Sequence, residues 1–346
     1  MRQGARPPRK SLLLASAALA FFLGGCGGGD SSSIETTPTP TPTETATPTP
    51  SPTPTPTSTS TGSGDYDTSE ADCPYSGNYA GDYSAAGTLT AEWGWTCSST
   101  ERLLTGNGLP DHPVGTFPSS GNPNTISVQS ISASMTLTPV LSDTATDLGG
   151  PDGTIAYARN SVKFDPATAG SCPADATQAS DCDLADPSGN WHLEALGQDV
   201  FDFGADDNNA HVQPGGIYHY HGIPEGMLDN AGVTASDPKM VLVGWAADGF
   251  PVYARYCYTD PDDADSAVKV CKSSYVLDST PDADRPSIDW VPLGAFESDW
   301  SYSEGSGDLD ECNGRTGATP EFPDGIYYYM ATDTYPYFSR CVKGEL

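Results

Sequence analysis

The chain has 346 residues, with 15 Lys and Arg against 46 Asp and Glu, and a formal net charge of −31. Such a surface repels phosphate backbones and anionic headgroups, so no nucleic-acid partner is expected, and it attracts cations. Charge of this kind also suits a solvated acidic exoprotein, so it defines no site by itself.

Arg2, Arg6, Arg9 and Lys10 precede a short apolar run from Ser11 to Leu23. The run is too short to span a bilayer comfortably and has the form of an export signal over residues 1–25. Leu23-Gly-Gly-Cys26 then reads as a lipobox, which predicts a lipid anchor on Cys26. The next residue is Gly27 rather than Asp, so the expected address is the cell envelope, at the outer membrane or cell surface. Residues 26–64 begin Gly/Ser-rich and continue as Thr-Pro repeats. With almost nothing apolar to bury they form an extended spacer rather than a fold.

Residues 65–346 read as one domain that is mainly β, a disulfide-braced sandwich or distorted barrel with long loops and few short helices. Short apolar runs between Gly, Pro, Asp and Ser replace helical periodicity. Candidate strands are Thr125–Leu137, Thr154–Phe164, Ile217–His221, Met240–Ala246, Val252–Tyr258 and Ile326–Ala331. His112, in the loop 108–118, reads as a solvated loop histidine. Eight cysteines remain beyond Cys26, and an even set in an exported chain implies disulfides. They fall into sequence-local couples: Cys73 with Cys97, Cys172 with Cys182, Cys257 with Cys271, and Cys312 with Cys341. No Cys-x-x-Cys spacing supports a thiolate metal site.

Pro214-Gly-Gly-Ile-Tyr-His-Tyr-His-Gly-Ile-Pro224 concentrates two of the five histidines. In a strand, Ile217, His219 and His221 share one face, and Tyr218 and Tyr220 the other. Upstream, Asp202, Asp206, Asp207, Asn208, Asn209 and His211 form an oxygen-rich segment. Its spacing is not that of an EF-hand, so turn chemistry is its default reading. Downstream, Pro323-Asp-Gly-Ile-Tyr-Tyr-Tyr-Met-Ala repeats the pattern with Tyr328 and Met330 in place of the histidines. If the two strands are neighbours, His219, His221, Tyr328 and Met330 meet on one face. Two imidazoles and a thioether suit copper, and His211 or Asp202 would complete a divalent zinc site.

These residues also carry a resemblance. The chain resembles the YHYH domain proteins through Gly216–Pro224, through Val243-Gly-Trp-Ala-Ala-Asp-Gly-Phe-Pro-Val-Tyr253, and through Leu309-Asp-Glu-Cys-Asn-Gly-Arg315 with Thr319–Tyr327. Together these cover roughly residues 160–343. The resemblance implies a bacterial exported domain, commonly behind a signal peptide or lipoprotein anchor, and no particular reaction. Members often have a second Tyr-His-Tyr-His-like strand, from which Tyr327-Tyr-Tyr-Met330 departs.

Within the same stretches, Asp248-Gly-Phe-Pro reads as a turn, with Asp248 either shaping it or orienting a histidine. Asn313 and Arg315 flank Cys312. Arg315 reads as an ion-pair partner of Asp310, or as an anchor for an anionic ligand. Three functions follow. The first is a cation- or metal-binding module centred on His219 and His221. The second is a hydrolase-like enzyme pairing one of them with Asp248 or Glu321, for which no nucleophile motif exists. The third is a module for a small ligand or surface glycan using Trp93, Trp95, Trp245, Trp290 or Trp300.

Overall fold

The computed structural model describes residues 66–148 and 153–346. The expected export signal, Cys26 and the Thr-Pro spacer lie outside those residues. The described residues all belong to one compact unit, Ser60–Leu346.

The first strands are β1 (Tyr75–Asp82), β2 (Thr88–Cys97), β3 (Glu101–Gly106) and β4 (Ile131–Thr136), followed by β5 (Leu141–Asp147). Next come β6 (Ala156–Ala158), β7 (Lys163–Phe164), β8 (Ser171–Cys172), β9 (Trp191–His192), β10 (Ala210–Gln213) and β11 (Ile217–Tyr220). A six-residue helix α1 (Glu225–Asn230) precedes β12 (Val241–Ala246), β13 (Pro251–Ala254), β14 (Tyr256–Tyr258) and β15 (Val268–Val270). The chain ends with β16 (Tyr275–Leu277), β17 (Trp300–Tyr302), β18 (Gly314–Gly317), β19 (Ile326–Ala331) and β20 (Cys341–Gly344).

Two main sheets form. One is the meander β1-β2-β3-β4, and the other is eight-stranded, in the order β10-β11-β7-β6-β12-β13-β19-β18. The architecture is the expected β-sandwich kind, and among the described residues no barrel closes. Alternation explains the small sheet. In β2, Ala91 and Trp95 are buried while Thr90, Glu92 and Thr96 are exposed, so one face is covered. In β13 and β19 every residue is buried, as in strands covered on both faces.

One hydrophobic cluster runs through both sheets, from Ala91, Trp95 and Leu104 to Val243, Trp245 and Tyr253. Asp72 helps tie them. Its carboxylate accepts from Trp245 Nε1 at 2.9 Å and from Arg159 Nε and Nη2 at 3.0 and 2.7 Å. The Arg102 guanidinium lies 3.3 Å over the Trp245 ring. A second, smaller cluster gathers Cys172, Leu193, Phe201, Phe203 and Phe296.

All four disulfides join the sequence-local couples: Cys73–Cys97, Cys172–Cys182, Cys257–Cys271 and Cys312–Cys341. Several strand expectations are revised. Of Thr125–Leu137 only Ile131–Thr136 pairs as a strand, because Ser127 N–H instead donates to the Gly216 carbonyl. Thr154–Phe164 is a hairpin, β6 against β7, and Val252–Tyr258 breaks at Arg255, whose φ is 58°. The largest correction concerns the two tyrosine strands. Four strands (β7, β6, β12 and β13) separate β11 from β19, so Tyr328 and Met330 do not face His219 and His221.

Candidate metal centre

The hairpin β10–β11 builds the centre. Pro214, Gly215 and Gly216 connect its strands, and both glycines have positive φ, 90° and 80°. A Cβ on Gly216 would meet Ser127 Oγ at 2.2 Å, so the turn needs glycine for conformation and for space. The turn sets the register Gln213↔Ile217, Val212↔Tyr218, His211↔His219 and Ala210↔Tyr220. Directly paired residues share a sheet face. His211 therefore joins His219 and His221, while Tyr218 and Tyr220 point the other way.

The three imidazoles touch. Ring centroids are 4.7 Å apart for His211–His219, 4.6 Å for His211–His221 and 4.7 Å for His219–His221. One ring nitrogen of each lies within 4.8 Å of the other two, and no Asp, Glu or Cys atom among the described residues joins that group. His219 and His221 are buried and His211 is half-buried.

The hydrogen bonds fix which nitrogen is which. His211 Nδ1 is 2.7 Å from the Phe203 carbonyl, and His221 Nδ1 is 3.0 Å from the Pro166 carbonyl. A carbonyl only accepts, so both Nδ1 atoms carry the proton and donate. His219 Nδ1 faces the Ile217 carbonyl at 3.3 Å in the same sense. In the neutral rings the Nε2 atoms are then bare lone pairs. His211 Nε2 and His221 Nε2 nevertheless stand 3.0 Å apart. Two opposed lone pairs at that separation repel unless a cation lies between them. Two nitrogens ligating one tetrahedral zinc ion stand about 3.4 Å apart, so a small widening is all that separates this geometry from a metal-bound pair.

Electrostatics keep the three imidazoles neutral. Burial, then the neighbouring imidazoles, hold His219 well below the ordinary histidine range, and Lys163 adds to the effect. Burial and His211 do the same to His221, and burial lowers His211. Neutral imidazoles are the form that ligates. Lys163 is paired with His219 in the parallel β11–β7 register, and its ammonium is held by Asp165 at 2.6 Å.

The tyrosine face is a polar network of its own. Tyr218 Oη donates to Asp206 at 2.8 Å. His112 Nδ1 lies 2.9 Å from the Pro113 carbonyl, so its Nε2 accepts from Tyr220 Oη at 2.7 Å. Asn160 Nδ2 donates to that same hydroxyl at 2.9 Å. His112 is therefore a buried structural histidine and not a solvated one, because its loop packs beneath the tyrosines of β11. The two residue types of Tyr218-His-Tyr-His221 thus part ways across the strand. The imidazoles face the small cluster containing Phe203, and the phenols face the main core.

Other expected site residues lie elsewhere. Asp202 is exposed and accepts from Gly204 N–H at 2.8 Å, apart from the imidazoles. Asp248 is buried and accepts from Tyr329 Oη at 2.5 Å and Gly344 N–H at 2.8 Å, so it orients no histidine. Glu321 accepts from Tyr253 Oη. Asn313 donates to the Met330 carbonyl at 2.7 Å. Arg315 reaches Tyr328 Oη at 2.6 Å and the Tyr258 carbonyl, while Asp310 accepts from Tyr327 Oη and caps Cys312 and Gly314 N–H groups. The echo between the tyrosine strands is thus one of role: Tyr218, Tyr327 and Tyr329 each anchor on a carboxylate. Trp95 and Trp245 are fully buried core residues. Cys257 and Cys271 approach Asp308, but their sulfurs are committed to a disulfide. The carbonyls of Phe203 and Pro166, and the Lys163–Asp165 pair, had no legible motif. The Pro-Gly-Gly turn did carry a signal, since counting back across it puts His211 opposite His219.

A family model described as YHYH protein matches residues 132–344, more than half of the chain. No curated protein and no solved structure matches. The chain belongs to the YHYH family.

Proposed function

For this member of the YHYH family, we propose a metal-binding module in which His211, His219 and His221 hold one divalent transition-metal ion. The observation that carries the reading is the pair of bare Nε2 atoms of His211 and His221, 3.0 Å apart, with both Nδ1 protons spent on carbonyls. Carbonyl-anchored imidazoles are the usual support of a metal-ligating histidine. Three imidazoles without a thiolate suit zinc or copper, and the placement of Met330 removes the thioether that had singled out copper. The acidic surface raises the local concentration of cations without selecting among them. In this reading the module is exported and tethered by lipid on Cys26, with the Thr-Pro segment as spacer.

Metal analysis of the purified full chain tests the assignment. One equivalent of zinc or copper per chain is expected, with copper displacing zinc in vitro and no uptake of calcium or magnesium. His211→Ala, His219→Ala and His221→Ala should each weaken binding by roughly 100-fold or more, beyond the range seen for supporting residues. Native protein that takes up no transition metal, or variants that bind it undiminished, would sink the proposal.

A further inference from the structure

A cleft of about 410 Å³ has His211 and His219 in its lining. His221 is not part of that lining, and its Nδ1 is held from behind by the Pro166 carbonyl. Two of the three imidazoles therefore border the cleft, while the third is buried. Structural zinc sites are closed by four protein ligands, whereas three-ligand sites keep a position for solvent or a bound molecule. No carboxylate or thiolate among the described residues supplies a fourth ligand here.

The rest of the lining says what such a molecule is like. Phe203, Leu184, Pro123, Pro214 and Ala185 give an apolar wall. The polar side chains along it are largely engaged. Asn122 and Asn124 both donate to the Val212 carbonyl, at 2.9 and 2.8 Å, and Thr168 Oγ1 donates to the Leu193 carbonyl. The outer wall is stiff. The Cys172–Cys182 disulfide leads directly into it, and Asp183 is bonded to Ser171 through both main-chain groups. The volume falls in the usual range for small-molecule sites.

We propose that this cleft binds a small oxygen-donor ligand, which takes the open coordination position and lays a flat apolar body against Phe203 and Leu184. The inference rests on the metal reading above and adds to it the class of ligand. A polyanion does not fit, because the wall offers it no cationic side chain and the molecule is strongly acidic.

The test uses the full chain loaded with cobalt(II), whose visible absorption reports coordination, titrated with acetohydroxamate and benzohydroxamate. Both probes are expected to change the spectrum with the metal retained. Benzohydroxamate should bind roughly tenfold tighter, because its ring is removed from water. Ala185→Trp, at an exposed point of the lining, should keep cobalt and abolish the preference. A bound cobalt ion whose spectrum neither probe alters would overturn the open position. Equal affinity for the two probes in the native protein would overturn the apolar cleft. Failure to load any metal would instead overturn the three-histidine reading, and this inference with it.

Discussion

His211 and His221 present a conflict that a bound metal ion would resolve. Their protons are committed to carbonyls, their lone pairs oppose one another, and burial disfavours adding a proton. This has a pH signature. A histidine of the unfolded chain titrates near 6.5, and all three imidazoles sit below that value in the fold. Between the two values the unfolded chain binds more protons, so stability is full above pH 6.5 and falls as acid titrates through the lowered range. Urea midpoints of metal-free protein are expected to drop as the pH is lowered from about 6.5 into the range of the depressed imidazoles. A His211→Ala/His219→Ala/His221→Ala chain should show a shallower fall over that interval. Identical slopes for the two proteins would mean the imidazoles are not held neutral by the fold.

The hairpin β10–β11 is the element on which the centre depends. A one-residue slip would send His219 and His221 to the tyrosine side and both phenols to the histidine side. Gly216→Ala meets both a φ of 80° and the Ser127 side chain, and should destabilise the protein by more than about 1 kcal/mol. It should also weaken metal binding, as read by metal titration beside a denaturation curve; unchanged affinity would detach the register from the site. Much of this element is legible in the sequence. Period-two alternation in Ile217–His221 separates the imidazoles from the phenols, and the local cysteine couples give the disulfides. Strand adjacency is not legible. Pro323–Ala331 repeats the pattern of Pro214–Gly222 because both need buried phenols tied to carboxylates, and a shared chemical need carries no information about sheet order. The solvated reading of His112 fails for a related reason: its partner, Tyr220, is more than a hundred residues away. The strands β1 to β3 escape a reading by pattern because Gly77, Gly81, Gly94 and Gly106 interrupt them as turn residues would. Three of these glycines make room instead, Gly77 for Trp93, Gly81 for Tyr79 and Gly106 for Ser161.

For the molecule as a whole, the family match begins at residue 132, so β1 to β3 lie outside it. They still share one core with the eight-stranded sheet, and Asp72 links their approach segment to Arg159 and Trp245. The centre lies where that core meets the smaller disulfide-braced cluster, and its cleft opens beside the loop that Cys172 and Cys182 close. Sheet register, tyrosine anchoring and loop bracing thus converge on three nitrogens. X-ray absorption at the metal edge of the zinc-loaded full chain tests that convergence most directly. A shell of three imidazole nitrogens at about 2.0 Å, with one oxygen ligand, is expected. A shell dominated by carboxylate oxygen or sulfur, or one left unchanged in the His219→Ala/His221→Ala chain, would contradict it.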